Sequence, residues 1–164
     1  MTIVLVRVDE RLIHGQILEG WLPSTKAQEL LIANDELAQD LIQKEILLSA
    51  VPYSVNVVID SVDRVASMLI AENEREVRRM VLVDNPQDAL RLKRAGVDFD
   101  NLNLGNLTAG QAAACLSRSV AVGDDSLQAL LNILEEGVSV SIQSVPFEKP
   151  VDFCDVCGCA SKHT

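Results

Sequence analysis

Hydrophobic positions along the chain fall into short runs that alternate with segments of helical spacing. Consecutive aliphatic and β-branched residues predict strands at 3–8, 29–33, 55–59, 80–83, 101–104 and 119–122. Between most of these runs, apolar residues recur about every 3.6 positions, which predicts helices. Such repeated βα units predict an α/β fold with three layers: an open, mostly parallel, twisted sheet of about six to seven strands flanked by helices.

Three local signals add detail to this prediction. Residues 138–145 alternate between apolar and polar side chains, which predicts an antiparallel edge strand with one face in water. Residues 14–21 are expected to form a short helix that Pro23 stops. A single longer helix is expected from a cap at Asn34 or Asp35 to the region of Pro52.

Length, composition and charge narrow the class of protein. The 164 residues suit one domain, predicted over residues 1–146, and the polar, cysteine-rich tail of residues 147–164 is expected to lie outside the core. A net charge of −10 and only five aromatic residues argue against nucleic-acid binding. The start of the chain has no basic segment followed by an apolar signal core, so a cytoplasmic protein is predicted.

The loop after the first strand holds the candidate chemistry, because ligand sites in open α/β sheets form at the carboxyl ends of strands. It contains Arg7, Asp9, Arg11, His14, Gly15 and Gln16. Imidazole is a good nucleophile near neutral pH, and guanidinium groups bind phosphate oxygens in a bidentate way. Glycine allows a close backbone approach, and a helix beginning near His14 would add free N–H groups. The alternative is a structural histidine beside a surface ion pair.

The segment VRVDERLIHGQ, followed by Trp21, resembles the signature of the B components of the mannose/sorbose phosphotransferase family. The resemblance extends over roughly residues 1–146, through VLVDNPQDALRLKRAGV, NLNLGNL and DDSLQALLNILEEGVSVSIQSVP. Two departures stand out. Asn106 replaces a usual glycine, and Glu19–Gly20 replaces a usual Thr-Arg pair, which removes a positive charge near the proposed phosphate site.

The resemblance implies a phosphotransferase. His14 would take a phosphoryl group from the phosphohistidine of a IIA protein and pass it to a sugar bound by the membrane IIC/IID transporter. Arg7 and Arg11 would hold the phosphate, and Asp9 would orient an arginine or the imidazole. No metal or organic cofactor is expected. The expected partners are the IIA and IIC/IID proteins and no nucleic acid, with a homodimer kept as an alternative.

Two further loops are expected to close the pocket, since both follow strands at the same edge of the sheet. Asp84 and Asn85 precede Pro86, and Gly105 and Asn106 precede Thr108 and Gly110. The alternative for both is ordinary turn chemistry.

The tail reads CDVCGCASKHT, in which three thiols and one imidazole have a spacing that could form a tetrahedral zinc site: Cys154, Cys157, Cys159 and His163. A reactive or incidental cysteine tail is the alternative. Two other functions therefore stay open. One is a regulatory phosphocarrier that moves no sugar, and the other is a metal- or redox-responsive binding module.

Overall fold

The computed structural model describes residues 2–71, 76–108 and 114–158. Its strands are β1 (Thr2–Asp9), β2 (Glu29–Ala33), β3 (Asn56–Asp60), β4 (Arg78–Val83), β5 (Asn101–Asn106), β6 (Ala114–Cys115), β7 (Ala121–Val122), β8 (Ser139–Ile142) and β9 (Val151–Asp152). A π-helical segment (Gln16–Trp21) leads into α1 (Leu22–Thr25), and the other helices are α2 (Asp35–Gln39), α3 (Leu41–Ala50), α4 (Val62–Ala71), α5 (Pro86–Arg94), α6 (Asp124–Glu135) and α7 (Phe153–Cys157).

The main sheet has seven strands in the order β3-β2-β4-β1-β5-β8-β9. All neighbours are parallel except β8 and β9, which confirms the predicted mostly parallel sheet with an antiparallel edge strand. The edge itself was assigned wrongly, because β8 lies inside the sheet and is parallel to β5, and the short β9 forms the edge. The predicted strand at 119–122 is also reduced to β7, which pairs with β6 in a separate two-stranded sheet.

Both faces of the sheet are covered by apolar side chains. Val6 and Val8 point into the cluster that α4, α5 and α6 cover. Because successive side chains of a strand point to opposite faces, Arg7 and Asp9 share the other face, where Ile17 and Trp21 of the π-helical segment pack. Alternation along β1 therefore places the charged pair Arg7 and Asp9 beneath the π-helical segment, at the end of the sheet where the parallel strands have their carboxyl ends.

Two of the predicted helices differ from the structure. The expected long helix breaks at Asp40, whose carboxylate accepts a hydrogen bond from Gln43 N at 2.9 Å and starts α3 as a new helix. Asn34 caps α2 in the same way, as predicted. Pro23 does not stop the first helix but occupies the first turn of α1, where its missing N–H costs nothing, and Lys26 ends α1 at a φ of 52°.

The segment after residue 147 does not lie wholly outside the core, contrary to the prediction. Val151 and Asp152 pair with β8, and this pairing turns the Phe153 ring into the larger core cluster, where it is fully buried. Cys154 is also buried, and Cys157 packs against the same cluster. No helix in the described ranges is long and apolar enough to cross a bilayer.

Candidate active site

Arg7 is a buried charge at the centre of the site. Its side chain is fully buried, and its two Nη groups donate to four oxygens: Asn103 Oδ1, Gln143 O at 2.9 Å, Asp9 Oδ2 at 3.1 Å and Ser144 O at 3.2 Å. Burial lowers the pKa of Arg7, and the Asp9 carboxylate opposes that shift. Because both Nη groups already donate to protein oxygens, Arg7 is suited to position its neighbours rather than to bind a phosphate directly.

Trp21 and Gly105 both lie close against the Arg7 guanidinium. Its Cζ lies 4.7 Å from the centroid of the Trp21 ring, a cation–π distance. An added Cβ at Gly105 would lie 1.7 Å from Arg7 Nη2. Trp21 is itself fixed, because its Nε1 donates to Ser144 O at 3.3 Å. Gly105 is therefore a glycine because any larger residue would displace the arginine.

Asp9 links the buried arginine to the histidine. Its Oδ2 lies 3.1 Å from Arg7 Nη2 and 3.0 Å from His14 Nε2, and its Oδ1 accepts from Arg11 N at 3.2 Å. Burial alone would raise the pKa of the Asp9 carboxyl, but the hydrogen bond with His14 and the positive charges around it hold that pKa below its usual range. Asp9 is thus a buried carboxylate that stays ionised.

A tight turn returns the chain so that His14 faces Asp9. Leu12 N donates to Asp9 O at 2.9 Å, and Leu12 adopts a φ of 51°, an uncommon conformation for a branched aliphatic residue. The buried side chains of Leu12 and Ile13 anchor the turn in the second core cluster. Such strain persists only where packing holds it, and it concentrates at functional sites.

Arg11, Gly15 and Gln16 form the outer rim of the site. The Arg11 side chain is 45% exposed, with Nε 3.6 Å from Asp9 Oδ1 and Nη2 donating to Gln16 Oε1 at 2.9 Å. Gly15 has an ordinary helical φ of −53°, and a Cβ there would meet nothing within 4 Å. The role of Gly15 is therefore not backbone strain, and its missing side chain leaves open space beside His14.

Glu10 is a residue of the site that sequence reasoning did not single out. Its carboxylate accepts from Asn106 Nδ2 at 2.9 Å and from Thr108 N at 2.8 Å, and its own N donates to Asn106 O at 3.0 Å. These bonds join the loop after β1 to the loop after β5. Gly105 and Asn106 thus lie beside the His14 loop, as expected from their strand, while Gly110 lies outside the described residues.

Asp84 and Asn85 form a separate polar cluster. Asp84 accepts from Asn34 Nδ2 and from Asn85 Nδ2, both at 2.6 Å, and Asn85 caps α5 by accepting from Asp88 N at 2.8 Å. Among the described residues, no hydrogen bond or ion pair joins this cluster to His14 or Arg11. Hydrogen bonds therefore join the loops after β1 and β5, while the predicted role of the loop after β4 in closing the pocket stays a prediction.

The tail cysteines can be located only in part. Cys154 and Cys157 lie on α7, whereas Cys159 and His163 lie outside the described residues. Within 2–71, 76–108 and 114–158 there is no group of three or more histidine, cysteine or acidic residues that could hold a metal ion. The zinc site, which needs all four residues, stays a prediction.

Comparisons with known proteins identify the family of this chain. Residues 3–164 match the family described as the PTS system sorbose subfamily IIB component. A fructose-specific EIIB component of Bacillus subtilis is 31% identical over 95% of this chain and 96% of that protein. The mannose-specific EIIAB component of Escherichia coli is 29% identical over 95% of this chain but 48% of that longer protein.

Solved structures that resemble this chain are also PTS components. The IIBSor domain of the sorbose permease from Klebsiella pneumoniae has a TM-score of 0.89 at 27% identity and is matched over 96% of this chain and 97% of that one. A phosphoenolpyruvate-dependent phosphotransferase system structure has a TM-score of 0.88 at 30% identity, with 96% and 98% covered. The chain therefore belongs to the sorbose subfamily of PTS IIB components, the phosphocarriers of sugar phosphotransfer.

Proposed function

We propose that His14 accepts the phosphoryl group at Nδ1. The observation that supports this most directly is the 3.0 Å contact between His14 Nε2 and Asp9 Oδ2. An ionised carboxylate can only accept, so Nε2 holds a proton, and in the neutral ring the lone pair is then on Nδ1. In this tautomer Nδ1 is the nucleophile, and Asp9 fixes both its orientation and its protonation state.

Each charged neighbour has a distinct role in the transfer. As the Nδ1–P bond forms, the N–P bond of the donor phosphohistidine breaks and its electron pair returns to the donor ring. The positive charge that develops on the His14 ring is balanced by Asp9, which Arg7 holds in place. Arg11, half exposed on the rim, leaves Gln16 and donates to the phosphoryl oxygens. Phosphoryl transfer depends mainly on such positioning and charge stabilisation.

The proposed donor is the phosphohistidine of a IIA component, and the proposed acceptor is a sugar held by a membrane IIC/IID transporter. The E. coli relative is named an EIIAB component, and this chain matches 48% of it, which supports a IIA partner. Relatives of similar identity are named for fructose, sorbose and mannose, so the proposal extends to the class of sugars rather than to one. The proposed place of action is the cytoplasm.

Labelling tests the proposal. Incubation with phosphoenolpyruvate, the general phosphotransferase proteins and a IIA component should attach one acid-labile phosphate, and His14→Ala should abolish it. His163→Ala is the matched control, because the chain has only two histidines, and it should keep the label. A His14→Ala protein that is still labelled would contradict the assignment.

Onward transfer distinguishes the transport role from the regulatory one. Membranes that contain the IIC and IID proteins and a transported sugar should remove the label from His14 as sugar phosphate forms. A label that returns to IIA but never reaches any sugar would instead identify a regulatory phosphocarrier.

A further inference from the structure

The aromatic residues of the chain divide sharply by exposure. Trp21, Phe99 and Phe153 are buried, whereas Tyr53 and Phe147 are 109% and 86% exposed. An exposed single apolar side chain is common on protein surfaces and needs no explanation by itself. Phe147 differs because of how its turn is held and where the turn lies.

The turn that carries Phe147 is braced by hydrogen bonds on both sides of the ring. Glu148 N donates to Val145 O at 3.2 Å, and Gln143 Nε2 donates to Pro146 O at 3.3 Å and to Glu148 O at 2.7 Å. The turn therefore presents the ring to solvent from a fixed backbone. A backbone that is already ordered loses little conformational freedom on binding, which favours a role for this turn in an interface.

The same turn adjoins the active site. The carbonyls of Gln143 and Ser144, just before it, accept from Arg7, and an added Cβ at Gly20 would lie 3.4 Å from Pro146 Cδ. Arg7 Nη2 also donates to Asp9 Oδ2, which lies 3.0 Å from His14 Nε2, so three successive contacts join Ser144 to the imidazole. The turn that carries Phe147 therefore begins beside the site of His14.

From this placement we infer that Phe147 is an anchor of the surface on which the IIA component docks. The inference rests on the proposed function, in which the donor is a phosphohistidine on a folded protein. For phosphorus to reach Nδ1, that protein must cover the surface around His14. A standard interface buries about 800 Å² on each partner, which corresponds to a radius of roughly 16 Å, so a footprint centred on His14 is wide enough to extend over the turn that follows Ser144.

The comparisons favour the IIA component as the occupant of this surface. In the E. coli relative, the region that matches this chain is part of a longer chain named EIIAB, in which A and B components are joined. Aromatic residues, including phenylalanine, are enriched in the buried part of protein interfaces relative to the rest of the surface. A IIA component is therefore expected to place an apolar pocket over the Phe147 ring.

Transfer kinetics test the inference. The initial rate of His14 labelling is measured against the concentration of the phosphorylated IIA component that labels the wild-type chain. Phe147→Ala should raise KM about tenfold or more and leave the rate at saturation within about twofold. Phe147→Leu should recover part of the loss. Tyr53→Ala is the matched control, since Tyr53 is equally exposed but precedes β3 and lies at the opposite edge of the parallel sheet.

The outcomes separate the two proposals. If no IIA component labels the wild-type chain, the proposed function fails. If the wild-type, Tyr53→Ala and Phe147→Ala proteins share one KM, the function stands and the docking inference is overturned. It is also overturned if Phe147→Ala slows only transfer to sugar in IIC/IID membranes, because the ring would then contact the membrane component.

Discussion

Asp9 is the last residue of β1 and Asp84 directly follows the neighbouring strand β4, yet their surroundings shift the pKa values of the two carboxyls in opposite directions. The pKa of the Asp9 carboxyl is lowered although burial alone would raise it, because His14, Arg7 and the Arg11 N–H contact the carboxylate. The pKa of the Asp84 carboxyl is raised, first by burial, which the hydrogen bonds from Asn85 and Asn34 do not overcome, and also by the charge of Asp88. Although the two residues occupy similar positions in the fold, Asp9 is held ionised and Asp84 is shifted towards its protonated form.

The opposite pKa shifts arise from the residues that contact each carboxylate rather than from its position in the sheet. Asp9 has a buried arginine and a histidine, both of which donate to the same carboxylate oxygen, so its charge is available to an imidazole that becomes positive during transfer. Asp84 has two neutral amides, each of which also caps a helix. A polar residue at the carboxyl edge of a parallel sheet therefore indicates chemistry only when its neighbours provide compensating charge.

Replacing each carboxylate by its amide gives the largest expected contrast. Asp9→Asn should slow labelling of His14 by about 10³-fold, because the imidazole loses the negative charge that balances it and the acceptor-only partner that fixes its tautomer. It should also lower the free energy of unfolding by about 3 kcal/mol, because Arg7 stays buried without its counter-charge. Labelling rates and urea unfolding measure the two effects. Asp84→Asn is the control and should label within about threefold of wild type. An equal loss of rate in both variants would show that the two clusters act as one site.

Arg11→Ala should slow labelling by about 10²-fold, since a charged donor to the phosphoryl oxygens is lost. Its stability should change by less than about 0.5 kcal/mol, because the side chain is 45% exposed. Arg64→Ala, which removes a 75% exposed arginine that lies 3.9 Å from Asp60, is the matched control. A rate that Arg11→Ala leaves unchanged would remove this residue from the transfer.

Gly105→Ala should slow labelling by about tenfold, because the new Cβ would overlap the Arg7 guanidinium and displace it from its contact with Asp9. Crowding of a packed site of this kind costs about 1–3 kcal/mol of stability, which thermal unfolding detects. Gly123→Ala is the control, since a Cβ there would meet nothing within 4 Å. Wild-type labelling by Gly105→Ala would show that the position of Arg7 does not govern the reaction.

The pH dependence of stability should show the smallest effect, with opposite signs for the two carboxylates. A lowered pKa in the fold adds stability above the ordinary value of 3.8, and this stability is lost as pH falls through the lowered pKa. A raised pKa removes stability as pH rises from 3.8 through the raised value. In urea unfolding between pH 3 and 7, the advantage of wild type over Asp9→Asn should shrink at low pH. The free energy of unfolding of wild type relative to Asp84→Asn should instead fall as pH rises. If the free energies of all three proteins changed with pH in parallel, both pKa shifts would be contradicted.

Much of the fold could be predicted because it depends on local patterns. Aliphatic runs located most strands of the main sheet, and the position of Pro86 correctly predicted the start of α5. The errors occurred where distant contacts decide the outcome. Residues 139–142 alternate like an edge strand, yet Val151 and Asp152 return from the tail and cover them. The break at Asp40 follows from a side-chain cap that competes with continuation of the helix.

The site shows the same division between local and distant information. His14, Asp9 and Arg11 lie within six residues of one another, so the sequence placed them together. The different surroundings of Arg7 could not be read from that segment, because its partners at Asn103, Gln143 and Ser144 lie 96 to 137 residues away. Glu10 was likewise missed, because its bonds to Asn106 and Thr108 join two loops 96 to 98 residues apart.

The stacking of Trp21 on Arg7 has a spectroscopic consequence. Trp21 is the single tryptophan of the chain, and its ring contacts the guanidinium that holds Asp9, which in turn contacts His14. All tryptophan fluorescence of this protein therefore comes from a ring that three successive contacts join to the reacting imidazole. Trp21 is therefore an intrinsic fluorescent probe of the site. Stopped-flow fluorescence can follow phosphorylation and dephosphorylation of His14 without an attached dye.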